Sequence, residues 1–527
     1  MIKNFKWLVL VSLTFVACTN NDDTTVVEEP VVAGSANFTK YVALGDSFAA
    51  GYSDGALFKT GQEGSYPNIL SQQFAAAGGG DFKIPFTSDN IGGLLLGGNV
   101  IAAQRLYFNG SAPVSVSGAP TTEVSTKVTG PFNNLGVPGA KSYHLVAAGY
   151  GNVAGVARGL ANPYFARFST SATTTVLADA LAQSPTFFSL WIGGNDVLGY
   201  ATSGGVGVNQ TGNNNAATYG SNDITDPGVF AYVYNALITN LTANGAKGVV
   251  ANLPYVSTLP YFTTVPYNPL SVSVLGSGNT AVGQATITQL NTLLYGPLKS
   301  ALTYLGAGDR INLLSTTVTN PVLIKDESLP NLSAQLTAVL TPTFTASMGA
   351  TVGAQTAAFY GAVYGQARQA TATDLVLLPT QSVIGTAPTA ANSGLGIAPS
   401  YPLDKFGITF PLQDAHVLIP SETAEIKIVT DAYNASIRAI ADSKGLAFVD
   451  AKAIMDKLST TGIVSNNFTM NSIYVTGGSF SLDGVHPSPR GYALIANAFI
   501  DAINAKYSST LKKVDLGKYR ILYPSSL

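Results

Sequence analysis

The chain has 527 residues, of which 11% are charged, well under the roughly 25% usual for soluble proteins. Lys and Arg number 27 against 29 Asp and Glu, which leaves no basic footprint and excludes nucleic acid as a partner. No Gly-x-x-x-x-Gly-Lys phosphate loop and no Cys/His cluster occurs, so neither a cofactor nor a metal is expected.

In chain order, Lys3 and Lys6 precede the apolar stretch Trp7–Ala17, which ends at Cys18. A positive n-region, a short apolar core and small residues before the cut read as an export signal rather than a spanning helix. Cys18 is the only cysteine, so no intrachain disulfide can form, and its setting resembles a bacterial lipobox. Residues 1–18 are therefore expected to be a lipoprotein signal with lipid attached at Cys18, a simple cleaved signal being the alternative. The resemblance implies anchoring in a Gram-negative outer membrane. Residues 19–37 are polar and acidic with little periodicity, and read as a flexible tether.

From residue 38 onward apolar runs and amphipathic stretches alternate. Tyr41–Leu44 reads as a buried strand and Ser65–Ala77 as a helix. Residues 81–131, rich in Gly, Val, Thr and Ser, read as an irregular, partly β excursion. Helix Thr174–Gln183, strand Thr186–Ile192, helix Gly228–Ala243 and strand Gly248–Asn252 continue the alternation that signals parallel βαβ units. Helix Glu422–Lys444, strand Leu446–Asp450 and helix Arg490–Tyr507 complete it. The expected fold is a three-layer α/β/α sandwich around a parallel, doubly wound, flavodoxin-like sheet, spanning residues 38–527. A second, larger insertion is expected at 257–411. It holds a helix over Gly283–Leu305 and an uncharged stretch from Ser328 to Ala367, which reads as an extra packed subdomain, an apolar wall over a pocket, or a membrane-docking surface. The tail Ser508–Leu527 carries no signal.

Four short islands carry the chemistry. Gly45-Asp-Ser47 follows the first strand, where open α/β sheets place their ligands. Ser47 offers a hydroxyl nucleophile that needs a neighbouring base; alone, the same tripeptide reads as a helix-capping turn. Asp483-Gly-Val-His486 runs into the last helix, and its spacing lets a carboxylate reach one imidazole nitrogen and leave the other for Ser47. The other histidines, His144 and His416, lack that setting and read as packed or surface residues. Between these, Gly139 can bring a backbone N–H close to a substrate, and Asn195, after the strand Thr186–Ile192, can donate from its side-chain amide. Fixed donors of this kind stabilise a developing oxyanion.

In that order the islands resemble the SGNH (GDSL-type) hydrolases, serine esterases and lipases with four such blocks. Gly45-Asp46-Ser47, Gly139, Gly193-Gly194-Asn195-Asp196 and Asp483-Gly-Val-His486 match them in turn, and Asn244–Tyr255 looks like the family's fourth strand and loop. The resemblance implies Ser47 as nucleophile, His486 as general base and Asp483 as its orienter. It also implies an oxyanion hole from the N–H groups of Ser47 and Gly139 with the Asn195 amide. The partners implied are an ester substrate, lipid or acylated glycan, and the membrane through the N-terminal anchor. Three other readings stand beside this one: a carbohydrate O-acetyl esterase of the same family, a non-catalytic surface binding lipoprotein, and a two-metal phosphoesterase built on Asp46, Asn195, Asp196 and His486, for which three histidines are few.

Overall fold

The computed structural model describes residues 30–465 and 467–527. The expected signal, Cys18 and the first part of the expected tether lie outside the described residues. In chain order the elements that position the site are β1 (Tyr41–Gly45), α1 (Ser47–Ala50), α2 (Tyr66–Ala75), β2 (Asn134–Gly136), α3 (Val176–Leu181), β3 (Phe187–Trp191), α4 (Asn195–Thr202), α5 (Pro227–Thr242), β4 (Lys247–Ala251), α6 (Ser333–Met348), α7 (Ala350–Tyr364), α8 (Pro420–Ser443), β5 (Ala447–Val449), α9 (Ala451–Ser459) and α10 (Pro489–Tyr507).

The five strands form one all-parallel sheet in the order β5-β4-β3-β1-β2, with Leu44 of β1 opposite Leu135 on one side and Leu190 on the other. Every residue of β1 and β3 is buried, as expected where helices cover both faces of a parallel sheet. Helix α10 packs on α2 and β5, and α5 packs on α8, an arrangement compatible with an α/β/α sandwich. The order is the doubly wound one in which the chain reverses direction across the sheet between β1 and β3.

Most sequence-predicted elements stand within a few residues of their expected bounds, and the differences have local causes. The helix expected over Gly283–Leu305 is split into Thr280–Leu290 and Gly296–Tyr304 by a π-helical turn at Asn291–Tyr295. Pro297 has no N–H to continue the regular ladder there. Strand β2 lies inside an island that reads as a turn; three residues are too few to show a period. The excursion at 81–131 holds two small hairpins, Leu94–Leu96 with Asn99–Ala102 and Leu106–Phe108 with Pro113–Ser115. Its Arg105 is 1% exposed. The guanidinium donates to the carbonyls of Asn90, Pro524 and Ser525, so the C-terminal tail is part of the domain's packing.

The expected tether ends earlier than residue 37. Ser508 sits at φ 55° and closes α10, which leaves the Tyr507 carbonyl free to accept the Ser35 N–H at 2.8 Å. The Val32 N–H donates to Thr510 Oγ1, and Ala36 is buried. The described chain is thus docked on the domain from about the start of the fourth decade of the sequence.

The large insertion has its own apolar core, running from Val265 to Ile419 and including Leu298, Ile324, Phe406 and Leu412. The uncharged stretch forms the helical hairpin α6–α7, with Leu336, Leu340 and Ala357 buried. No helix among the described residues is long and apolar enough to cross a membrane.

Candidate active site

Three of the four islands meet because β2, β1 and β3 are neighbours in the sheet, so the loops leaving their carboxyl ends are neighbours too. Asp46 caps α1, its Oδ1 accepting the Phe48 N–H at 3.0 Å. Ser47 opens that helix, 5% exposed, and its own N–H belongs to the first turn, which has no intrahelical acceptor. Gly136 of β2 comes so close to α1 that a Cβ there would lie 2.3 Å from the Ala50 nitrogen.

After β2 the chain makes a turn closed by the Ala140 N–H to the Val137 carbonyl at 3.0 Å. Pro138 and Gly139 are its central residues, with Gly139 at φ 80°, the type II geometry that suits glycine there. Gly139 is exposed. The turn is gripped from two sides: Asn162 Nδ2 donates to the Pro138 carbonyl at 2.8 Å, and Asn195 Nδ2 donates to the Ala140 carbonyl at 3.0 Å. Pro138 C=O and Gly139 N–H share one planar trans peptide and point in opposite directions, so holding the oxygen fixes the N–H. Asn195 keeps a second amide hydrogen. Its neighbour Asp196 is fully buried and accepts the Ser142 N–H at 2.8 Å and the Ser142 hydroxyl at 2.7 Å, which locks the second and third islands together.

The fourth island closes the set. Asp483 Oδ1 accepts the backbone N–H groups of Val485 and His486 at 2.9 and 2.8 Å, a local turn that presents the imidazole. Asp483 Oδ2 lies 2.9 Å from His486 Nδ1 and accepts the Gly55 N–H at 3.0 Å. His486 Nε2 lies 2.8 Å from Ser47 Oγ. Burial alone would raise the Asp483 carboxyl, but the facing His486 ring and the N–H donors hold it at about 2. An ionised Oδ2 is an acceptor only, so in the neutral form of the ring the proton sits on Nδ1 and Nε2 is the acceptor facing the serine hydroxyl.

The other two histidines are packing groups. His144 Nδ1 accepts the Lys141 N–H and its ring stacks on Tyr150 at 4.3 Å, while burial lowers its pKa to about 4. His416 Nδ1 accepts the Gln413 N–H and the ring meets Phe406 edge-on. Among the described residues no group of three or more His, Cys, Asp or Glu is arranged to hold a metal ion.

Sequence reasoning missed how the rest of the first island serves the site. The Asp54 N–H donates to Ser481 Oγ at 3.0 Å, and Asp54 Oδ1 accepts the Leu482 N–H at 2.8 Å. Ser53 Oγ donates to the Pro487 carbonyl, and the Tyr52 ring lies 4.6 Å from the His486 ring. Tyr52-Ser-Asp-Gly55 is thus the cradle of the Asp483–His486 loop; a run of polar residues that begins five positions after Ser47 and ends in glycine was the only available signal. Asn162 was also missed. Ahead of Pro163 it reads as a helix cap, which it is, Oδ1 accepting the Tyr164 and Phe165 N–H groups, but its Nδ2 contact is invisible locally.

Comparison of the chain with protein-family models, with curated proteins and with solved structures finds no match. The reading of the site therefore stands on its own geometry.

Proposed function

We propose that this protein is a serine esterase or lipase of the SGNH type, hydrolysing carboxylic esters through an acyl-enzyme. The observation that carries the reading is the continuous relay Ser47 Oγ–His486–Asp483, with contacts of 2.8 and 2.9 Å. A hydroxyl, a neutral imidazole with its accepting nitrogen aimed at it, and an ionised carboxylate on the far nitrogen are the groups that nucleophilic acyl transfer requires.

In this reading His486 Nε2 takes the Ser47 proton as Oγ bonds to the ester carbonyl carbon. The resulting oxyanion is held by the N–H groups of Ser47 and Gly139 and the free amide hydrogen of Asn195. Collapse breaks the bond to the alcohol, which leaves with the proton from His486. Water then gives its proton to His486 and attacks the acyl carbon, and the carboxylic acid departs as Ser47 recovers its hydrogen. Asp483 stays ionised throughout and stabilises the imidazolium.

The decisive experiment is covalent labelling by a fluorophosphonate probe, together with hydrolysis of p-nitrophenyl esters. We expect both in the wild-type chain and neither in Ser47→Ala. Labelling that persists in Ser47→Ala, or a wild type that neither labels nor hydrolyses any ester, would sink the reading; hydrolysis of acetylated sugars but no simple ester would redirect it to a carbohydrate esterase. We further propose export and lipid anchoring at Cys18, on the strength of the N-terminal pattern alone. Incorporation of radiolabelled palmitate, lost in Cys18→Ala, tests that.

A further inference from the structure

An apolar cavity lies directly behind the loops that carry the relay. Its near wall is made by chain neighbours of the site residues: Asp46 and Phe48 around Ser47, Gly194 before Asn195, and Val485 and Pro487 around His486. It continues past Leu198, Leu253 and Leu259 to a far wall formed by α9 and α10. There Ile454, Met455 and Leu458 face Leu494, Ile495 and Ala498, each trio at i, i+1, i+4 on one side of its helix.

The lining is aliphatic or aromatic almost throughout, with Asp46 and Ser479 its polar side chains. Ile454, Leu494, Ile495 and Ala498 are only partly buried although apolar. The trough is open along this rim, where these four side chains keep part of their surface, whereas α5 and α8 are packed against each other. Apolar surface held open next to a nucleophile, with hardly a hydrogen-bonding group along it, matches a long unbranched hydrocarbon and gives an acetyl group or a sugar nothing to bind. Phe48 stands between trough and relay, its ring 5.4 Å from the His486 ring and 5.0 Å from Trp191.

Resting on the esterase reading above, we propose that this trough is the acyl-chain compartment. The substrates are then esters of long, linear fatty acids, their chain running past Phe48 and ending between α9 and α10. The wall comes from α9, α10 and the loop after β4, and the insertion adds to it only Leu259, near its start.

The test is a chain-length series of p-nitrophenyl esters from acetyl to palmitoyl, run on the full chain, on Ala498→Phe, which fills the far end, and on Ile495→Gln, which makes the half-open rim polar. Changes in fit of about one methylene in such pockets are worth about 10- to 200-fold. We therefore expect kcat/KM to favour long chains in the wild type, and the palmitoyl-to-acetyl ratio to fall at least about tenfold in either variant. Binding of the fluorescent fatty acid cis-parinaric acid to Ser47→Ala, displaced by palmitate and weakened by Ala498→Phe, is the second expected result. A wild type that labels with fluorophosphonate yet turns over acetyl esters best overturns the compartment alone, as does an unchanged chain-length profile in both variants. A wild type that neither labels nor hydrolyses any ester overturns the esterase reading and this inference with it.

Discussion

The Gly55 N–H donates to Asp483 Oδ2 at 3.0 Å across 428 positions of sequence, and the same oxygen faces His486 Nδ1. One carboxylate oxygen thereby ties the island of Ser47 to the island of His486. In Asp483→Asn, an NH2 in the place of Oδ2 turns a donor toward both the Gly55 N–H and His486 Nδ1, forcing the wrong tautomer, and in the place of Oδ1 it opposes the N–H groups of Val485 and His486. We expect kcat to fall by about 10⁴ with thermal unfolding little changed, as loss of an orienting carboxylate does in serine proteases. Ester turnover and a melting curve check it; near-normal kcat would mean something else orients the ring.

Asn162 lets a positioning role be separated from a capping role. Asn162→Asp keeps the oxygen that caps the helix beginning at Pro163 and replaces the Nδ2 donor, which serves the Pro138 carbonyl and the Tyr150 hydroxyl, by an oxygen that can only accept. With that oxygen opposing the Pro138 carbonyl, the Gly139 peptide holds its N–H less firmly. We expect kcat to drop about tenfold or more, short of the roughly 10²–10³ expected for deleting the Asn195 donor in Asn195→Ala, with KM and melting temperature close to wild type. A fall in stability matching the fall in kcat would reduce Asn162 to a structural cap.

Asp54 is 1% exposed, and its Oδ2 has no hydrogen-bond partner among the described residues. Burial is the main cause of a carboxyl pKa raised from 3.8 to about 7. Between those values the folded chain keeps a proton that the unfolded chain has lost. Stability from this group is therefore full below the unfolded pKa and falls as pH rises to about 7, by about 1.4 kcal/mol for each tenfold change in proton affinity. Asp54→Asn should gain on the wild type over that interval and hold a constant advantage above it, with a residual slope from Asp46, which is also raised to about 7, mainly by burial. Urea unfolding from pH 4 to pH 8 reads this directly. A difference between the two proteins that stays flat with pH would contradict it.

Gly136→Ala tests the close approach of β2 to the helix that Ser47 opens. The added Cβ would meet the Ala50 nitrogen at 2.3 Å and the Ala49 carbonyl carbon at 2.6 Å, both backbone atoms with no rotamer to escape through. We expect a loss of about 1–3 kcal/mol or more, a lower melting temperature, and slower fluorophosphonate labelling as α1 shifts. Unchanged labelling in a destabilised protein would show that the sheet gives way and α1 does not.

The strands β1, β3, β4 and β5 and the long helices were legible because their cues are local. Apolar runs of strand length, helical spacing and a terminating Gly or Pro lie within a dozen residues. The residue types at Ser47, Gly139, Asn195, Asp483 and His486 were legible for the same reason: each sits in a short polar or glycine-bearing turn just after an apolar run or just before a helix. Strand order could not be read that way. That β2 and β3 flank β1, bringing three islands side by side, depends on pairings between segments about ninety to one hundred and fifty residues apart. The cradle Tyr52–Gly55, the second hand of Asn162 and the trough between α9 and α10 were equally closed to sequence. A hydrogen bond or a half-open apolar wall leaves no periodicity when its other half lies hundreds of positions away: the available groups can be read from local residue patterns, but which of them face one another follows from the packing of the sheet and its last helix.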